Sequence, residues 1–444
     1  MITVDFLKKE GFIKPVHGVN NGPVTNISSG ATDKKEEFRV AHIPFSRLHD
    51  TGGSYGSGIF VNIHCIFPNF DADVNDPASY FFEPTDIYLQ NITDAGTEVF
   101  YRLGESIESS KLLKIYVKPP KDFLKWAQIC EHIIMHYNEG WADGFFHNIR
   151  YWEILGEPDN KNLWTGTPEE YYELYHITAT HLKKRFPDIK IGGYSASGFY
   201  STTRESVSEW FDTLVPFMDG FFKYITRDDK KSPLDFFSWH CYTDNPKEIG
   251  EHGRFVDRQL KKYGFLKTEN ILAEYNYALT WDNEDMVKIK SYFGAAMTAA
   301  SLIEMQKNPI DAGMYYDAEI TRFRFCGLFD NITKENLKPY YAFYYFGKLY
   351  ELKDEIYTLS TDNNIYIAGA SDDKKCGLLI SNFSNSLFEN EKICFSQKTK
   401  ISAVLRTNFS DTNKSCNNII SDEETDEFIL TLRPFEILYI ETSL

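Results

Sequence analysis

The sequence has few basic residues for its number of acidic ones. Its 444 residues include 47 Lys and Arg against 64 Asp and Glu, a formal net charge of −17 at pH 7. Nucleic acids and anionic membrane surfaces are bound through basic faces that neutralise phosphates, so this balance argues against both kinds of partner. The N-terminus carries charges by residue 5, and no apolar run reaches the roughly 18 residues of a membrane span. We therefore expect neither a signal peptide nor a membrane-spanning helix.

Cysteine is also scarce. The seven cysteines are scattered along the chain and form no C-x-x-C pair. This argues against a disulfide scaffold, and a chain of this length can bury a core without metal or disulfide staples. Two histidines, His132 and His136, lie four residues apart on a predicted helix, but no third ligand is evident. We expect reduced thiols, a cytoplasmic location, and no metal or other cofactor.

Aromatic residues, in contrast, are abundant. The chain contains 28 Tyr, 35 Phe and 7 Trp, 16% of all residues. Many of these rings belong in a core, but flat apolar rings also suit the faces of sugars.

Short apolar runs rich in β-forming residues alternate with helical stretches over the first three quarters of the chain. Such alternation favours parallel strands joined by crossover helices, and eight units favour a closed (β/α)₈ barrel over an open sheet. The predicted helices cover 84–93, 123–137, 168–185, 205–217, 253–263, 287–306 and 340–350. The eight predicted strands lie at residues 14–20, 40–49, 97–103, 149–155, 189–194, 236–242, 270–277 and 312–317.

The pattern changes after residue 350. Short strands separated by polar turns predict a small antiparallel β-sandwich. The fold class is therefore α/β, a TIM barrel at residues 12–350 followed by a sandwich domain at 351–444, to which residues 1–11 are a candidate addition. The predicted sandwich strands lie at 365–369, 377–381, 392–395, 401–405, 428–432 and 437–441.

Two glutamates fall where a barrel places its chemistry, at the C-terminal ends of the strands. Glu157 follows the fourth predicted strand and Glu274 lies on the seventh. Two carboxyl groups about 5–5.5 Å apart suit retaining glycoside hydrolysis, in which one protonates the leaving oxygen and the other attacks the anomeric carbon. Such roles need Glu274 ionised, with Arg47 as its candidate cation and Tyr242 as its candidate donor. Glu157 should be held protonated by partial burial and by the charge of its partner.

Other polar and aromatic residues near strand ends are candidates for binding substrate. Each also has a structural interpretation: a salt bridge for an arginine, loop capping for polar residues, packing for a tryptophan. Glu153 shares the strand face of Glu157, and we interpret it as a buried structural charge. The candidate substrate-binding residues are Arg47, His49, Asp50, His240, Tyr242 and Trp281, with Trp164 as a further candidate stacking ring.

Four segments resemble glycoside hydrolase family 39, the β-xylosidase family. Residues 151–160 (YWEILGEPDN) resemble its acid/base strand, and residues 271–276 (ILAEYN) its nucleophile strand. Residues 237–242 (FSWHCY) and 17–20 (HGVN) are similar to its sixth and first strands. The resemblance implies a retaining (β/α)₈ glycosidase that needs no cofactor and acts on a saccharide or glycoside.

Carried over by position, the resemblance makes Glu157 the acid/base and Glu274 the nucleophile. The chain departs from the family at Gly156, where the family has an Asn whose amide binds the sugar 2-hydroxyl. Our hypothesis is that Gly156 leaves room for a different 2-position. The sugar can then be a galactoside, glucoside or arabinoside instead of a xyloside, or the chain can be a carbohydrate-binding pseudoenzyme. A homo-oligomer also remains open.

Overall fold

The computed structural model describes residues 1–24, 32–48, 60–106, 117–320, 325–372, 374–420 and 423–443. Its strands are β1 (Ile2–Phe12), β2 (Gly18–Asn20), β3 (Phe45–Arg47), β4 (Glu98–Leu103), β5 (Tyr151–Ile154), β6 (Lys190–Ala196), β7 (Phe236–Thr243), β8 (Glu269–Tyr277), β9 (Ala312–Tyr315), β10 (Asp354–Ser360), β11 (Ile365–Ser371), β12 (Lys375–Asn382), β13 (Phe388–Thr407), β14 (Lys414–Ser415), β15 (Thr425–Leu432) and β16 (Glu436–Ser443).

Ten α-helices are described. They are α1 (Lys35–Val40), α2 (Ile63–Ile66), α3 (Glu83–Asp94), α4 (Phe123–Glu139), α5 (Pro168–Arg185), α6 (Glu209–Ile225), α7 (Pro246–Lys262), α8 (Asn283–Ile289), α9 (Tyr292–Lys307) and α10 (Tyr340–Leu352).

Strands β2–β9 form a closed parallel barrel. Each pairs with the next along the chain, and β9 pairs with β2 to complete the ring. This confirms the (β/α)₈ barrel expected from the alternating pattern. All eight barrel strands overlap their predicted ranges. The strand predicted at 40–49 is shorter than expected: Val40 is the last residue of helix α1, and β3 covers only Phe45–Arg47.

The barrel interior is apolar at the bottom and polar above. Seven side chains from the starts of the strands form the bottom layer: Phe45, Phe100, Tyr151, Phe236, Ile271, Ala312 and Met314. Because residues two apart on a strand share a face, the next inward residues stand one layer higher, nearer the C-terminal mouth. Arg47, Arg102 and Glu153 take these positions and are fully buried.

Local sequence signals set the helix boundaries. Helix α5 begins as expected, with Thr167 as N-cap in a capping box with Glu170 and Pro168 in the first turn. The single helix predicted at 287–306 is wrong: α8 ends at Ile289, and Ser291 caps α9 by accepting from the Phe293 N–H. A Cβ at Gly294 would lie 2.1 Å from the carbonyl oxygen of Ile289, so only glycine permits this close junction.

The remaining strands form a second sheet folded over its own core. The order is β1-β10-β11-β12-β16-β13-β14, with β15 paired to β13, and the pairings are antiparallel except for β1 with β13. Its interior includes Ile2, Val4, Ile356, Leu378 and Ile440.

Two details of this second sheet differ from the sequence prediction. The segments predicted at 392–395 and 401–405 are parts of one long strand, β13, and β10 was not predicted. β1 pairs with β10 and β13. The domain boundary predicted at residues 350/351 falls in the last turn of α10 and stays a prediction.

All seven cysteines are free thiols. Within the described ranges, no helix combines the length and the apolar character needed to cross a membrane.

Candidate active site

Glu157 and Glu274 meet at the C-terminal mouth of the barrel. One carboxylate oxygen of each, together with a ring nitrogen of His240, lie within 4.8 Å of one another. Glu157 stands just after β5, and Glu274 and His240 are paired residues of the neighbouring strands β8 and β7. The side chain of Glu157 is 16% exposed and that of Glu274 only 5%, so Glu157 is the more accessible of the two.

Arg47 joins the site to the barrel interior. Its guanidinium is fully buried and uses all five N–H groups. Nε and Nη2 bind Glu153 Oε2 at 2.8 and 2.6 Å, and Nη1 binds Glu274 Oε1 at 2.9 Å. Asn20 Oδ1 and Ser195 Oγ accept the remaining two bonds, each at 2.9 Å. Burial alone would lower the pKa of Arg47, but the two carboxylates raise it above its usual value, so the cation persists.

Tyr242 binds the other oxygen of Glu274. Its hydroxyl donates to Glu274 Oε2 at 2.8 Å. Burial, followed by the charge of Glu274, raises the pKa of this hydroxyl well above its ordinary value. Tyr242 therefore stays a proton donor, and the two oxygens of Glu274 accept from Arg47 and from Tyr242.

Glu157 is held by different groups. Its Oε1 lies 2.7 Å from His240 Nδ1, and its Oε2 accepts from Asn160 Nδ2 at 3.0 Å. Its backbone N–H donates to the carbonyl oxygen of Ser195 at 3.2 Å. Leu155 and Glu157 both have left-handed backbones, with φ of 60° and 48°. Non-glycine residues adopt this conformation only where the surroundings enforce it, which is common at functional sites.

Two polar residues of this cluster, Asn20 and Ser195, were not predicted as site residues from the sequence. Asn20 orients Arg47 and also donates to the carbonyl oxygen of Ala273, next to Glu274. Ser195 contacts both Arg47 and His240. Asn20 lies in residues 17–20, one of the family-like segments, and this signal could have found it.

The predicted substrate-binding residues fall into three groups. Arg47 and His240 are wholly buried behind the glutamates. Trp281 is 46% exposed, with its ring centroid 4.8 Å from that of Tyr242, so these two rings line one side of the mouth. His49 and Asp50 lie outside the described residues. Their roles toward a substrate stay predictions.

Trp164, the further candidate for stacking on a sugar, packs in the core instead. It is buried among apolar side chains, and its indole N–H donates to the carbonyl oxygen of Thr167 at 2.9 Å.

The space beside Gly156 is bounded by two arginines. A Cβ at this position would lie 3.3 Å from Arg102 Cδ and 3.6 Å from Arg47 Nη2. Arginine side chains therefore border the place that a larger residue would enter. The hypothesis that Gly156 admits a different sugar 2-position stays a prediction.

Asp159 adds a buried carboxyl close to Glu157. It accepts from the Ser197 hydroxyl at 2.6 Å and from the Ser197 N–H at 3.1 Å. Burial, opposed by these bonds and reinforced by the charge of Glu157, raises the pKa of Asp159 to about 7. The mouth thus contains a group that changes charge near neutral pH.

Among the described residues, the His, Cys, Asp and Glu side chains near enough together to hold a metal ion are Glu157, His240 and Glu274. His132 and His136 bind Gln128 O and Asp86 instead. In this structure His240 binds Glu157 and Arg47 binds Glu274.

Residues 59–267 match the model of the glycosyl hydrolases family 39. This part of the barrel is similar to the glycosyl hydrolases of family 39. This confirms the resemblance read from the sequence. The matched stretch contains Glu157 and ends seven residues before Glu274.

Two curated relatives are β-xylosidases. The one from Geobacillus stearothermophilus is 28% identical over 130 residues, 29% of this chain and 22% of the relative. The one from Caldicellulosiruptor saccharolyticus is 26% identical over 174 residues, 37% of this chain and 31% of the relative. The matched stretches thus span less than a third of either relative's length.

A solved structure extends the likeness to the whole fold. A glucosidase from Croceicoccus marinus superposes with a TM-score of 0.79 at 20% identity, covering 100% of this chain and 98% of that one. At this identity the likeness establishes the fold alone.

Proposed function

We propose that the chain is a retaining β-glycosidase in which Glu157 is the acid/base and Glu274 the nucleophile. One observation carries the proposal: oxygens of the two carboxylates lie within 4.8 Å of each other at the barrel mouth. Retaining enzymes have carboxyl groups about 5–5.5 Å apart, whereas inverting enzymes separate them by about 6.5–9.5 Å to admit a water.

In the first half-reaction, an oxygen of Glu274 attacks the anomeric carbon. Glu157 gives its proton to the glycosidic oxygen, the bond between that oxygen and the anomeric carbon breaks, and the aglycone leaves as an alcohol. The product is a glycosyl ester of Glu274. Arg47 and Tyr242 hold Glu274 ionised and aimed until the bond forms.

In the second half-reaction, Glu157 is a carboxylate and accepts a proton from water. The resulting nucleophile attacks the anomeric carbon, the ester bond breaks, and the sugar leaves with its original anomeric configuration. Arg47 keeps Glu153 as a counter-ion while Glu274 is esterified and uncharged, so the buried guanidinium is never without a carboxylate.

The names of the curated relatives support a β-xylosidase-like specificity. Gly156 argues for a difference at the sugar 2-position, because it offers no amide to the 2-hydroxyl. A galactoside, glucoside or arabinoside remains the alternative substrate.

The test uses a panel of 4-nitrophenyl β-glycosides and the matching 2-deoxy-2-fluoro glycosides, followed by mass spectrometry of the intact protein and its peptides. We expect release of nitrophenol from at least one glycoside and one sugar adduct, located on Glu274. Glu274→Gln should abolish both.

Glu269→Gln is the matched control, because Glu269 begins the same strand at the opposite end of the barrel and pairs with Lys190. It should retain activity. Sugar binding with neither turnover nor an adduct would contradict the proposal and favour a carbohydrate-binding pseudoenzyme.

A further inference from the structure

Ser195 lies between Arg47 and His240 in the polar layer of the barrel. It is fully buried on β6, at an irregularity in the pairing with β7, and its φ is 61°. Its Oγ accepts from Arg47 Nη2 at 2.9 Å and is in hydrogen-bond contact with His240 Nε2. A serine held in the left-handed region at this point indicates that the surroundings enforce its position.

The direction of the bond between Ser195 and His240 follows from counting hydrogens. The hydroxyl has one hydrogen to donate, and a guanidinium cannot accept it. Among the described residues, His240 Nε2 is the acceptor in contact with this hydroxyl. Ser195 therefore donates to Nε2, and the neutral ring carries its own hydrogen on Nδ1.

This tautomer determines whether the His240 Nδ1 atom offers Glu157 a hydrogen or a lone pair. His240 Nδ1–H donates to Glu157 Oε1 at 2.7 Å, so that oxygen faces a donor. Asn160 Nδ2 donates to Oε2 at 3.0 Å, and its orientation is set because its Oδ1 accepts from the Asn162 N–H at 3.0 Å. Nδ1–H thus occupies one lone pair of Oε1 and Asn160 occupies one lone pair of Oε2, so the catalytic proton lies on one of the two remaining lone pairs and is not shared with the ring.

We propose that Ser195 is a positioning residue that keeps His240 in the Nδ1–H tautomer and thereby keeps the acid proton of Glu157 away from the ring, where the leaving oxygen can take it. The proposal rests on the proposed function for its kinetic consequence, but not for the tautomer itself. The charged groups around the ring are Glu157 beside Nδ1, Glu274 and Arg47 beside the Nε2 edge, and Asp159 behind Glu157.

Loss of the hydroxyl changes which tautomer is favoured. His240 Nε2 lies 3.4 Å from Glu274 Oε1, the next acceptor available to it. Without Ser195 Oγ, a hydrogen on Nε2 can donate to that carboxylate, and Nδ1 then presents a lone pair to Glu157. The proton of Glu157 would then be held on Oε1 by this lone pair and would no longer be free for the leaving oxygen.

The direct test is nuclear magnetic resonance of the full chain labelled with ¹⁵N-histidine, with His240 assigned from the signal missing in His240→Gln. In the wild type we expect a protonated-type Nδ1 and an unprotonated-type Nε2. Ser195→Ala and Ser195→Gly should exchange the two. Ser195→Gly removes the same hydroxyl without strain, since glycine adopts positive φ freely, so it covers the case in which Ser195→Ala fails to fold.

The kinetic test compares kcat/KM for two leaving groups on the sugar that the wild type hydrolyses. A methyl glycoside needs protonation of its leaving oxygen, and a 2,4-dinitrophenyl glycoside does not. General acid catalysis contributes roughly 10²–10⁴-fold. We expect both Ser195 variants to lose about 10²-fold with the methyl glycoside and less than about fivefold with the dinitrophenyl glycoside.

Ser46→Ala is the matched control, because Ser46 is equally buried in the barrel but donates to the carbonyl oxygen of Asn21 and not to the glutamate cluster. It should alter neither the ring signals nor the leaving-group ratio.

Unchanged His240 tautomers in both Ser195 variants, or equal losses with both leaving groups, would overturn the proposal. If the wild type hydrolyses no glycoside, the proposed function fails, and the ring signals alone still decide whether Ser195 sets the tautomer.

Discussion

Removal of Arg47 should destabilise the protein through the two carboxylates that it leaves behind. In Arg47→Met, Glu153 and Glu274 lose the guanidinium that binds both of them in a buried layer. Removing one partner of a buried ion pair costs about 3–5 kcal/mol. For 444 residues, an unfolding entropy of roughly 2.1 cal/mol/K per residue converts each kcal/mol into about 1 °C. We therefore expect the thermal midpoint at pH 7 to fall by about 3–5 °C.

A second variant separates the charge effect from the loss of packing. In Arg47→Met/Glu153→Leu, the fully buried carboxylate is also replaced by an apolar side chain, and such replacements of a buried pair are often neutral. The double variant should recover at least half of the loss, although it stays inactive because Glu274 still lacks its cation.

Arg150→Met provides the control for this measurement. Arg150 pairs with Glu98, but its side chain is 56% exposed, so the pair should contribute only about 0–1 kcal/mol. Scanning calorimetry of the four proteins gives the comparison. A midpoint for Arg47→Met within 1 °C of the wild type, or a double variant no more stable than the single one, would refute the reasoning.

Three further predictions concern the mouth of the barrel. Burial raises the pKa of Asp159 to about 7, so between about pH 4 and 7 the folded state binds a proton that the unfolded state lacks. The free energy of unfolding therefore falls as pH rises through this range, by at most roughly 1.4 kcal/mol per pH unit. Asp159→Asn should lessen this loss when urea unfolding at pH 5 is compared with that at pH 8, and a loss identical to that of the wild type would contradict the prediction. Gly156→Asn should cost about 1–3 kcal/mol, because Arg102 must move from a Cβ contact of 3.3 Å. If its amide reaches the sugar, hydrolysis of 2-hydroxy aryl glycosides should increase over that of 2-deoxy ones, which the wild type should hydrolyse about equally; an unchanged ratio would count against this role. Trp281→Ala should raise KM about tenfold with little change in kcat if its exposed ring stacks on the sugar, and a loss confined to kcat would exclude that role.

Local pattern alone was sufficient to predict the positions of the eight barrel strands and to place Glu157 and Glu274 at their C-terminal ends. The alternation of strand and helix predicted eight barrel strands, because the spacing of hydrophobic residues and the positions of turn residues depend only on a few neighbouring residues in the sequence. Glu157 and Glu274 could be picked out because each stands at the end of an apolar strand, where a barrel exposes side chains. The break between α8 and α9 is equally local, and the signal was there in Ser291 and Gly294.

The contacts of the polar layer depend on barrel closure, which no single segment encodes. Arg47, Glu153 and Ser195 come from three strands, and only the closed ring brings them to one point. His240 stands opposite Glu274 because the pairing of β7 with β8 is irregular by one residue between Trp239 and His240. The sequence by itself determined which side chains stand on the inner face of each strand, since the period of two is a local property. Only the tertiary structure decided which of them touch, because distances across the barrel follow from the register of neighbouring strands.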